Sequence, residues 1–170
     1  MNIFRLQLMA DLLKEMTVAI PVIEVTGHAA RHFEEGEEVT RVIEAFALDD
    51  WTNALGQLCS MDRPACGYSA CAVGHAMFDV RFNALGLYHH EGNPAYEGKT
   101  SWSAVEGFFG INNRTAETLF SPCQYDERDE DDDDYDEDQP SAATPKDVLE
   151  RVQFLLIEGE LALNAKYRNR

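Results

Sequence analysis

Apolar residues recur at three- and four-residue spacing in two segments, one near each end of the chain. Such spacing places side chains on one face of a helix, and it predicts two amphipathic helices with core-facing stripes. The first stripe contains Ile3, Leu6, Met9, Leu13 and Met16. The second contains Val148, Val152, Leu155, Leu156 and Leu163. Thr144 and Pro145 precede the second stripe and supply an N-cap and a first-turn proline.

The segment after the first helix is harder to interpret. Thr17 to Val25 is rich in β-branched residues and contains Pro21, which is typical of a short edge strand or an extended connector. Further on, apolar residues fall at i, i+3, i+4 and i+7 behind the acidic stretch Glu34 to Glu38. They are Val39, Val42, Ile43 and Phe46. This spacing predicts another helix of about three turns.

The central part of the chain predicts short elements separated by glycine and proline. Ser69 to Phe78 consists largely of small residues, which predicts a tightly packed buried helix that Gly67 helps to begin. Leu85 to Lys99 predicts a long loop or a small hairpin, because it contains three glycines and Pro94. Two short helices should follow, the first with a capping box at Ser103 and Glu106 and a stop at Gly110. Asn113 should cap the second.

These elements predict a mainly α fold, or an α+β fold with a small hairpin. The chain has 170 residues, of which 45% are apolar, so residues 1–170 should form a single domain with a sizeable core. Residues 126–143 are expected to form an acidic loop or linker within it, before the C-terminal helix.

An acidic run from Asp126 to Asp138 dominates the charge of the chain. Eleven of its thirteen positions are Asp or Glu, and Arg128 is its only base. The formal net charge is −17, and removing the eleven acids and one base of the run would leave −7. A dense block of like charge is typical of a solvated loop or an interaction surface. Asp131 to Asp138 could coordinate calcium weakly, but this stretch lacks the glycine at the sixth loop position and the terminal glutamate of an EF-hand, so a formed calcium site is not expected.

The overall character of the chain excludes several classes of protein. The N-terminal residues lack a secretory pattern and no apolar run approaches the roughly 20 residues of a membrane span, so we expect a cytoplasmic protein. Its four cysteines are too few and too irregular for a disulfide framework. The negative charge argues against direct binding of nucleic acid.

Cys66, Cys71 and His75 are the candidate metal ligands. Cys71 and His75 are four residues apart, and Cys59 or Cys123 could complete a tetrahedral zinc site. A second Cys-x2-4-Cys pair is missing, however, and a buried cysteine also packs as a small hydrophobe. We therefore expect no metal or other cofactor, and keep the zinc site as an alternative.

The remaining polar residues indicate no catalytic site. A thiol nucleophile would need a base and a group that orients it, and no such triad is evident. His28 and His32 lack the glutamate of a metalloprotease helix and are expected on the surface, as are His89 and His90. No catalytic motif is recognised, and we expect a protein that is not an enzyme. Tyr88, Tyr96 and Trp102 could anchor an interface or belong to the core.

Several short motifs occur together in the chain. In order they are Asp49-x-Trp51, Cys66-Gly67-x-x-Ala70-Cys71-x-x-Gly74-His75-Ala76, Phe108-Phe109-Gly110-Ile111, Leu119-Phe120-x-Pro122 and Thr144-Pro145. This order resembles a group of small uncharacterised proteins of tailed phages and some bacteria, over roughly Phe46 to Leu156. The resemblance implies an α-rich single domain and a phage origin, but no reaction. The acidic insertion and the extended N-terminal half depart from that pattern.

Taken together, the sequence favours a phage accessory protein that acts by binding another protein. The expected binding residues are Asp129, Glu130, Asp131, Asp132, Asp133, Asp134, Asp136, Glu137 and Asp138. Closely spaced carboxylates can occupy a basic groove that normally receives phosphates, so this surface could mimic nucleic acid and inhibit a host nuclease, polymerase or defence protein. Two alternatives stay open: a small zinc protein or metal-dependent enzyme centred on Cys66, Cys71 and His75, and a structural or virion-associated accessory protein.

Overall fold

The computed structural model describes residues 1–28, 38–48, 51–54, 67–125 and 143–167. Its helices are α1 (Ile3–Met16), α2 (Ala72–Ala76), α3 (Val80–Asn83), α4 (Ser101–Phe109), α5 (Asn113–Phe120) and α6 (Pro145–Lys166), with a 3-10 turn at Pro122–Gln124. Its strands are β1 (Ile23–His28), β2 (Glu38–Phe46), β3 (Thr52–Ala54), β4 (Gly67–Ala70), β5 (Tyr88–His90), β6 (Asn93–Tyr96) and β7 (Lys99–Thr100).

Helix α1 forms as its apolar spacing predicts. Asn2 caps it, since the Asn2 side chain accepts a hydrogen bond from the Arg5 backbone N–H at 3.1 Å. The predicted stripe is buried from Leu6 to Met16, whereas Ile3 is exposed. Helix α1 packs against α6, so the two amphipathic segments predicted at the ends of the chain meet in one core.

The predicted helix around Val39 to Phe46 is wrong: these residues form strand β2. It pairs with β1 in antiparallel and with β4 in parallel orientation, in a four-stranded sheet of order β1-β2-β4-β3. Thr17 to Val25, for which the sequence left an edge strand or a connector open, contains both: residues 17–22 connect α1 to the sheet, and from Ile23 the chain forms β1, which lies at an edge of the sheet. β-Branched residues fit a pleated sheet with neighbours on both sides, and this tertiary pairing prevails over the helical spacing.

The small-residue segment is divided between a strand and a short helix. Gly67 begins β4 instead of a turn, and α2 starts only after Cys71, whose Sγ accepts a hydrogen bond from the Gly74 N–H at 3.3 Å. The predicted close approach is present, because a Cβ at Gly74 would lie 1.8 Å from the Trp51 carbonyl oxygen. Gly74 therefore allows α2 to contact the backbone before β3.

The glycine-rich segment forms a small antiparallel sheet, β5-β6-β7, which confirms the predicted hairpin. Its two turns are Glu91-Gly92 and Glu97-Gly98, and all four residues have positive φ, from 49° to 84°. This geometry matches the type I′ turns that suit the twist of antiparallel strands.

Helices α4 and α5 lie where the sequence places them, but their first residues differ from prediction. Helix α4 starts after Thr100, so the capping box at Ser103 and Glu106 is wrong, whereas Gly110 ends the helix in the left-handed conformation with φ 62°. Helix α5 is capped by Asn112, one residue before the predicted Asn113. In the core, the Phe109 ring meets Phe108 edge-to-face at 5.0 Å between centroids and lies tilted against Phe120 at 5.6 Å.

Helix α6 begins with the predicted cap and breaks at Gly159. The Thr144 N–H donates to Asp147 Oδ2 at 2.8 Å and the Asp147 N–H to Thr144 Oγ1 at 3.4 Å, which completes a capping box. Gly159 has φ 82° and ψ 172°, a conformation available essentially to glycine alone. Sixteen residues of straight helix span about 24 Å. The Tyr167 ring nevertheless lies 4.3 Å from the Arg151 guanidinium, so the chain folds back at Gly159.

This architecture confirms the predicted mainly helical or α+β class, with more sheet than the sequence indicates. The part of the predicted loop up to residue 142 lies outside the described residues. Within the described part of the chain, no helix has the length and apolar character needed to cross a membrane.

Candidate functional site

The acidic residues predicted to bind a partner, from Asp129 to Asp138, lie outside the described residues. Residues 139–142 also lie outside the described ranges, so the described chain stops at the start of the run and resumes five residues after its end. Tyr125 ends the described chain before the run. Ala143 and Thr144 resume it and lead into the capped first turn of α6.

A buried arginine on α6 contacts the side that precedes the run. Arg151 is 4% exposed, and its guanidinium lies 3.5 Å from the centroid of the Tyr125 ring and 4.3 Å from that of Tyr167. The guanidinium donates to the Thr118 carbonyl oxygen at 2.7 Å and to the carbonyl oxygen of Gln124. We call Arg151, Tyr125, Tyr167, Thr118 and Gln124 the arginine clasp. Planar stacking combined with several donors is the geometry that arginine provides and lysine does not.

Two groups have shifted pKa values here: Tyr125, which belongs to the clasp, and Asp147, which feels the charge of Arg151. Burial raises the pKa of the Tyr125 hydroxyl, and the nearby charge of Arg151 opposes this only in part. That hydroxyl donates to the Leu119 carbonyl oxygen at 2.6 Å. Partial burial works to raise the pKa of Asp147, but hydrogen bonds from Thr144 and the charges of Lys146 and Arg151 outweigh it and hold the pKa below its ordinary value. Asp147 therefore keeps its charge next to the clasp.

Sequence analysis missed the clasp, although the sequence contains a signal for it. Arg151 lies between Val148 and Leu155 at helical spacing, so it falls on the buried stripe of α6 rather than on its polar face. A charged residue on a core-facing stripe requires partners, because an unpaired buried charge is costly. The sequence therefore indicates that Arg151 must have buried hydrogen-bond or charge partners, but only the structure shows which residues these are.

The second candidate site is the pair formed by Cys71, the N-cap of α2, and His75, which follows four residues later within that helix. Both residues are 1% exposed. The His75 backbone N–H donates to the Cys71 carbonyl oxygen at 2.9 Å, and the imidazole stacks on Phe46 of β2 at 6.4 Å between ring centroids.

The hydrogen bonding of His75 determines its tautomer. Its Nε2 lies 3.1 Å from the Ala45 carbonyl oxygen. Because a carbonyl oxygen only accepts, Nε2 carries the proton and Nδ1 presents a lone pair. Within the described part of the chain, Nδ1 is buried and has no hydrogen-bond partner. Burial lowers the pKa of His75 despite the opposing effect of the Ala45 carbonyl, so the ring is neutral at pH 7.

We predict that His75 makes the protein less stable in mild acid. The unfolded chain binds the proton near pH 6.5, whereas the folded protein resists it, so stability is complete above about pH 6.5 and decreases as the pH falls towards the folded pKa. The limit for one group is about 1.4 kcal/mol per pH unit. Urea unfolding between pH 7.5 and 5.5, with a metal chelator present, should show a steeper loss for the wild type than for His75→Gln. Parallel curves would contradict the prediction.

The third candidate ligand, Cys66, and the additional candidate Cys59 lie outside the described residues, whereas Cys123 is exposed on the 3-10 turn. Among the residues whose positions are described, no group of three or more Cys, His, Asp or Glu side chains could hold a metal ion. The structure thus brings Cys71 and His75 together and leaves the complete predicted ligand set without a test.

The other candidates occupy separate places. His89 and His90 are exposed on β5, as predicted, and His89 Nε2 accepts a hydrogen bond from the Gly92 N–H at 3.0 Å. His28 ends β1, whereas His32 lies outside the described ranges. Tyr96 belongs to the core and Tyr88 is 47% exposed. Trp102 is partly buried, and its ring meets Trp51 edge-on at 4.8 Å.

Comparison with known proteins gives no assignment: no family model, no curated protein and no solved structure matches this chain significantly.

Proposed function

We propose that this protein acts by binding another protein through its acidic run, which mimics the phosphates of a nucleic acid. The observation that supports the proposal is the density of charge: eleven carboxylates in thirteen residues, from Asp126 to Asp138. The binding residues are Asp129 to Asp134 and Asp136 to Asp138. Such spacing suits a basic groove in the partner, where carboxylates replace phosphate oxygens.

The proposed partner is a host nucleic-acid-binding or defence protein with a basic surface, and the proposed outcome is inhibition by competition with nucleic acid. The resemblance to phage proteins suggests action in the cytoplasm of an infected cell. Association driven by opposite charge is fast and weakens with salt, because screening reduces attraction between exposed groups. We therefore expect the affinity to fall steeply with ionic strength.

The described residues beside the run support this proposal in one respect. Tyr125, directly before the run, is held by the arginine clasp on α6, and the described chain resumes after the run at Ala143 and at Thr144, the N-cap of α6. A chain segment between two fixed points has less conformational entropy to lose on binding than one with a free end.

The experiment compares variants that carry the same change of charge. In one, Asp131, Asp132, Asp133 and Asp134 are replaced by Asn. In the matched control, four exposed acids elsewhere are neutralised: Asp11→Asn, Glu24→Gln, Glu150→Gln and Glu158→Gln. Affinity capture from host lysate at low and moderate salt, with mass spectrometry, should recover a nucleic-acid-binding protein with the wild type and the control only.

A second measurement decides whether the captured protein is the proposed target. Nucleic acid should compete with the wild-type chain for the purified partner, and added salt should weaken both complexes. Capture of the same proteins by the wild type and the Asp131–Asp134 variant would reject the acidic run as the binding surface. Capture without competition from nucleic acid would retain binding but reject mimicry.

A further inference from the structure

We infer that this chain pairs with a second copy of itself by exchanging residues 160–167. We call these residues the returning arm, because they follow the break at Gly159 and fold back towards Arg151. Exchange of an identical element is a low-cost route to dimers, in which a hinge opens and each arm packs on the other copy. The inference is independent of the proposed function, since it uses no residue of the acidic run.

The returning arm is held by contacts that another copy would reproduce. The Glu160 carboxylate accepts a hydrogen bond from Asn112 Nδ2 at 2.5 Å. Leu163 is fully buried, and the Lys166 ammonium lies 4.3 Å from the centroid of the Phe154 ring. The polar and aromatic partners belong to the N-terminus of α5 and to the part of α6 before the break. An arm from a second copy would therefore find the same groups in the same places.

The break at Gly159 is the hinge on which the exchange depends. With φ 82° and ψ 172° it interrupts the helix, whereas helical backbone angles at Gly159 would make α6 continuous over Pro145–Lys166. In a straight helix Phe154 and Lys166 would be about 18 Å apart, so the arm would lose its contacts within its own chain. Its buried residues would then need a second copy to cover them.

Two exposed apolar side chains lie on either side of the hinge. Ile157 is 78% exposed and Leu161 is 90% exposed. They are four residues apart, so a continuous helix would place them on one face, one turn apart. Because each arm must cross to the other copy, the hinge segments of the two copies would lie together, and each apolar pair would cover the other. Burial of these side chains adds a contact that the single chain lacks.

Charge determines the conditions that favour this dimer. Each chain has a formal net charge of −17, so two copies repel each other, and salt screens the repulsion. We therefore expect high protein concentration and added salt to favour the dimer. Binding of a basic partner by the acidic run should have the opposite salt dependence, so the two proposals can fail separately.

The first test compares the full-length wild type with Gly159→Ala by sedimentation velocity. Alanine disfavours the backbone angles of the break and favours the helix, so Gly159→Ala should raise the association constant by at least about tenfold. Gly107→Ala makes the same change inside α4 and should leave the association constant unchanged. A folded Gly159→Ala variant that associates no more than the wild type would overturn the inference.

The wild type supplies a measurement that needs no variant. Refolding from urea at high protein concentration should yield a dimer fraction that dilute refolding does not, because chains meet before their arms have packed. This result decides the matter if Gly159→Ala fails to fold. A wild type that stays monomeric after concentrated refolding in high salt would reject the exchange.

A cross-link distinguishes exchanged arms from simple association. One chain carries Asn112→Cys and the other Glu160→Cys, both together with Cys123→Ser, which places one thiol on each side of the contact between α5 and the arm. A short bismaleimide should join the two different chains in the dimer fraction only. Chains with Cys123→Ser alone control for the remaining cysteines. A dimer that does not give this cross-link would mean that each copy keeps its own arm, against the inference.

Discussion

Replacing Gly74 by alanine is expected to destabilise the protein by about 3 kcal/mol, the upper part of the usual range for overpacking a core. The new Cβ would lie 1.8 Å from the carbonyl oxygen of Trp51 and 2.9 Å from the Cβ of Ala70. Real Cβ atoms do not come this close to other heavy atoms. The obstacle is a backbone oxygen, which cannot rotate away, so α2 would have to move from the segment that contains Trp51.

Gly107→Ala is the matched control for this experiment. Gly107 lies within α4, and a Cβ there would meet only Lys99 and Tyr96, at distances of 3.5 Å or more. Alanine is favoured over glycine inside a helix by roughly 1 kcal/mol, so this variant should match or exceed the wild type in stability. Urea unfolding followed by tryptophan fluorescence would measure both. Equal stabilities of the two variants would contradict the close packing at Gly74.

Local signals in the sequence are sufficient to predict the helices at the ends of the chain. Thr144, Pro145 and Asp147 satisfy the first turn of α6 with side chains that are neighbours in sequence, and Asn2 does the same for α1. Such caps are independent of the rest of the fold, because donor and acceptor are three residues apart. The hairpin is predictable for the same reason, since its turns depend on glycines next to the strands.

Strand β2 could not be predicted in this way. Its apolar residues fit a helical face as well as a strand, and the choice depends on pairing with β1, which precedes it, and with β4, which follows about twenty residues later. The break in α6 has a similar origin. Gly159 permits the reversal, but contacts of Tyr167 with Arg151 and Phe154 show where the returning segment packs. Local spacing indicates neither the strands that pair with β2 nor the residues that Tyr167 contacts.

The candidate site at Cys71 and His75 likewise combines a feature that local spacing predicts with one that depends on a distant contact. The spacing of Cys71 and His75 predicts that they share one face of a helix, whereas the structure makes Cys71 the N-cap of α2 and places His75 within the helix. The role of Ala45 could not be predicted, because a backbone carbonyl on another strand leaves no sequence signal. It is this contact that fixes the tautomer of His75 and leaves Nδ1 as a lone pair.

Replacing Arg151 by lysine is expected to destabilise the protein by about 3 kcal/mol, although the charge is kept. Each hydrogen bond from a charged group contributes about 1.5–3 kcal/mol, and a lysine ammonium cannot reproduce two guanidinium bonds while contacting the faces of two rings. The carbonyl oxygens of Thr118 and Gln124 would lose a donor, and the rings of Tyr125 and Tyr167 would lose the planar group that contacts them. Thermal and urea unfolding would measure the loss.

Arg114→Lys is the control, because Arg114 is exposed on α5 and a surface substitution of this kind should change stability by less than about 0.5 kcal/mol. Equal stabilities of the two variants would show that the arginine clasp contributes little. The clasp also holds Tyr125, which precedes the acidic run. Under conditions where both variants are folded, Arg151→Lys should therefore weaken binding of the proposed partner, whereas Arg114→Lys should not. Unchanged binding by a folded Arg151→Lys variant would mean that the acidic run acts without a fixed attachment at Tyr125.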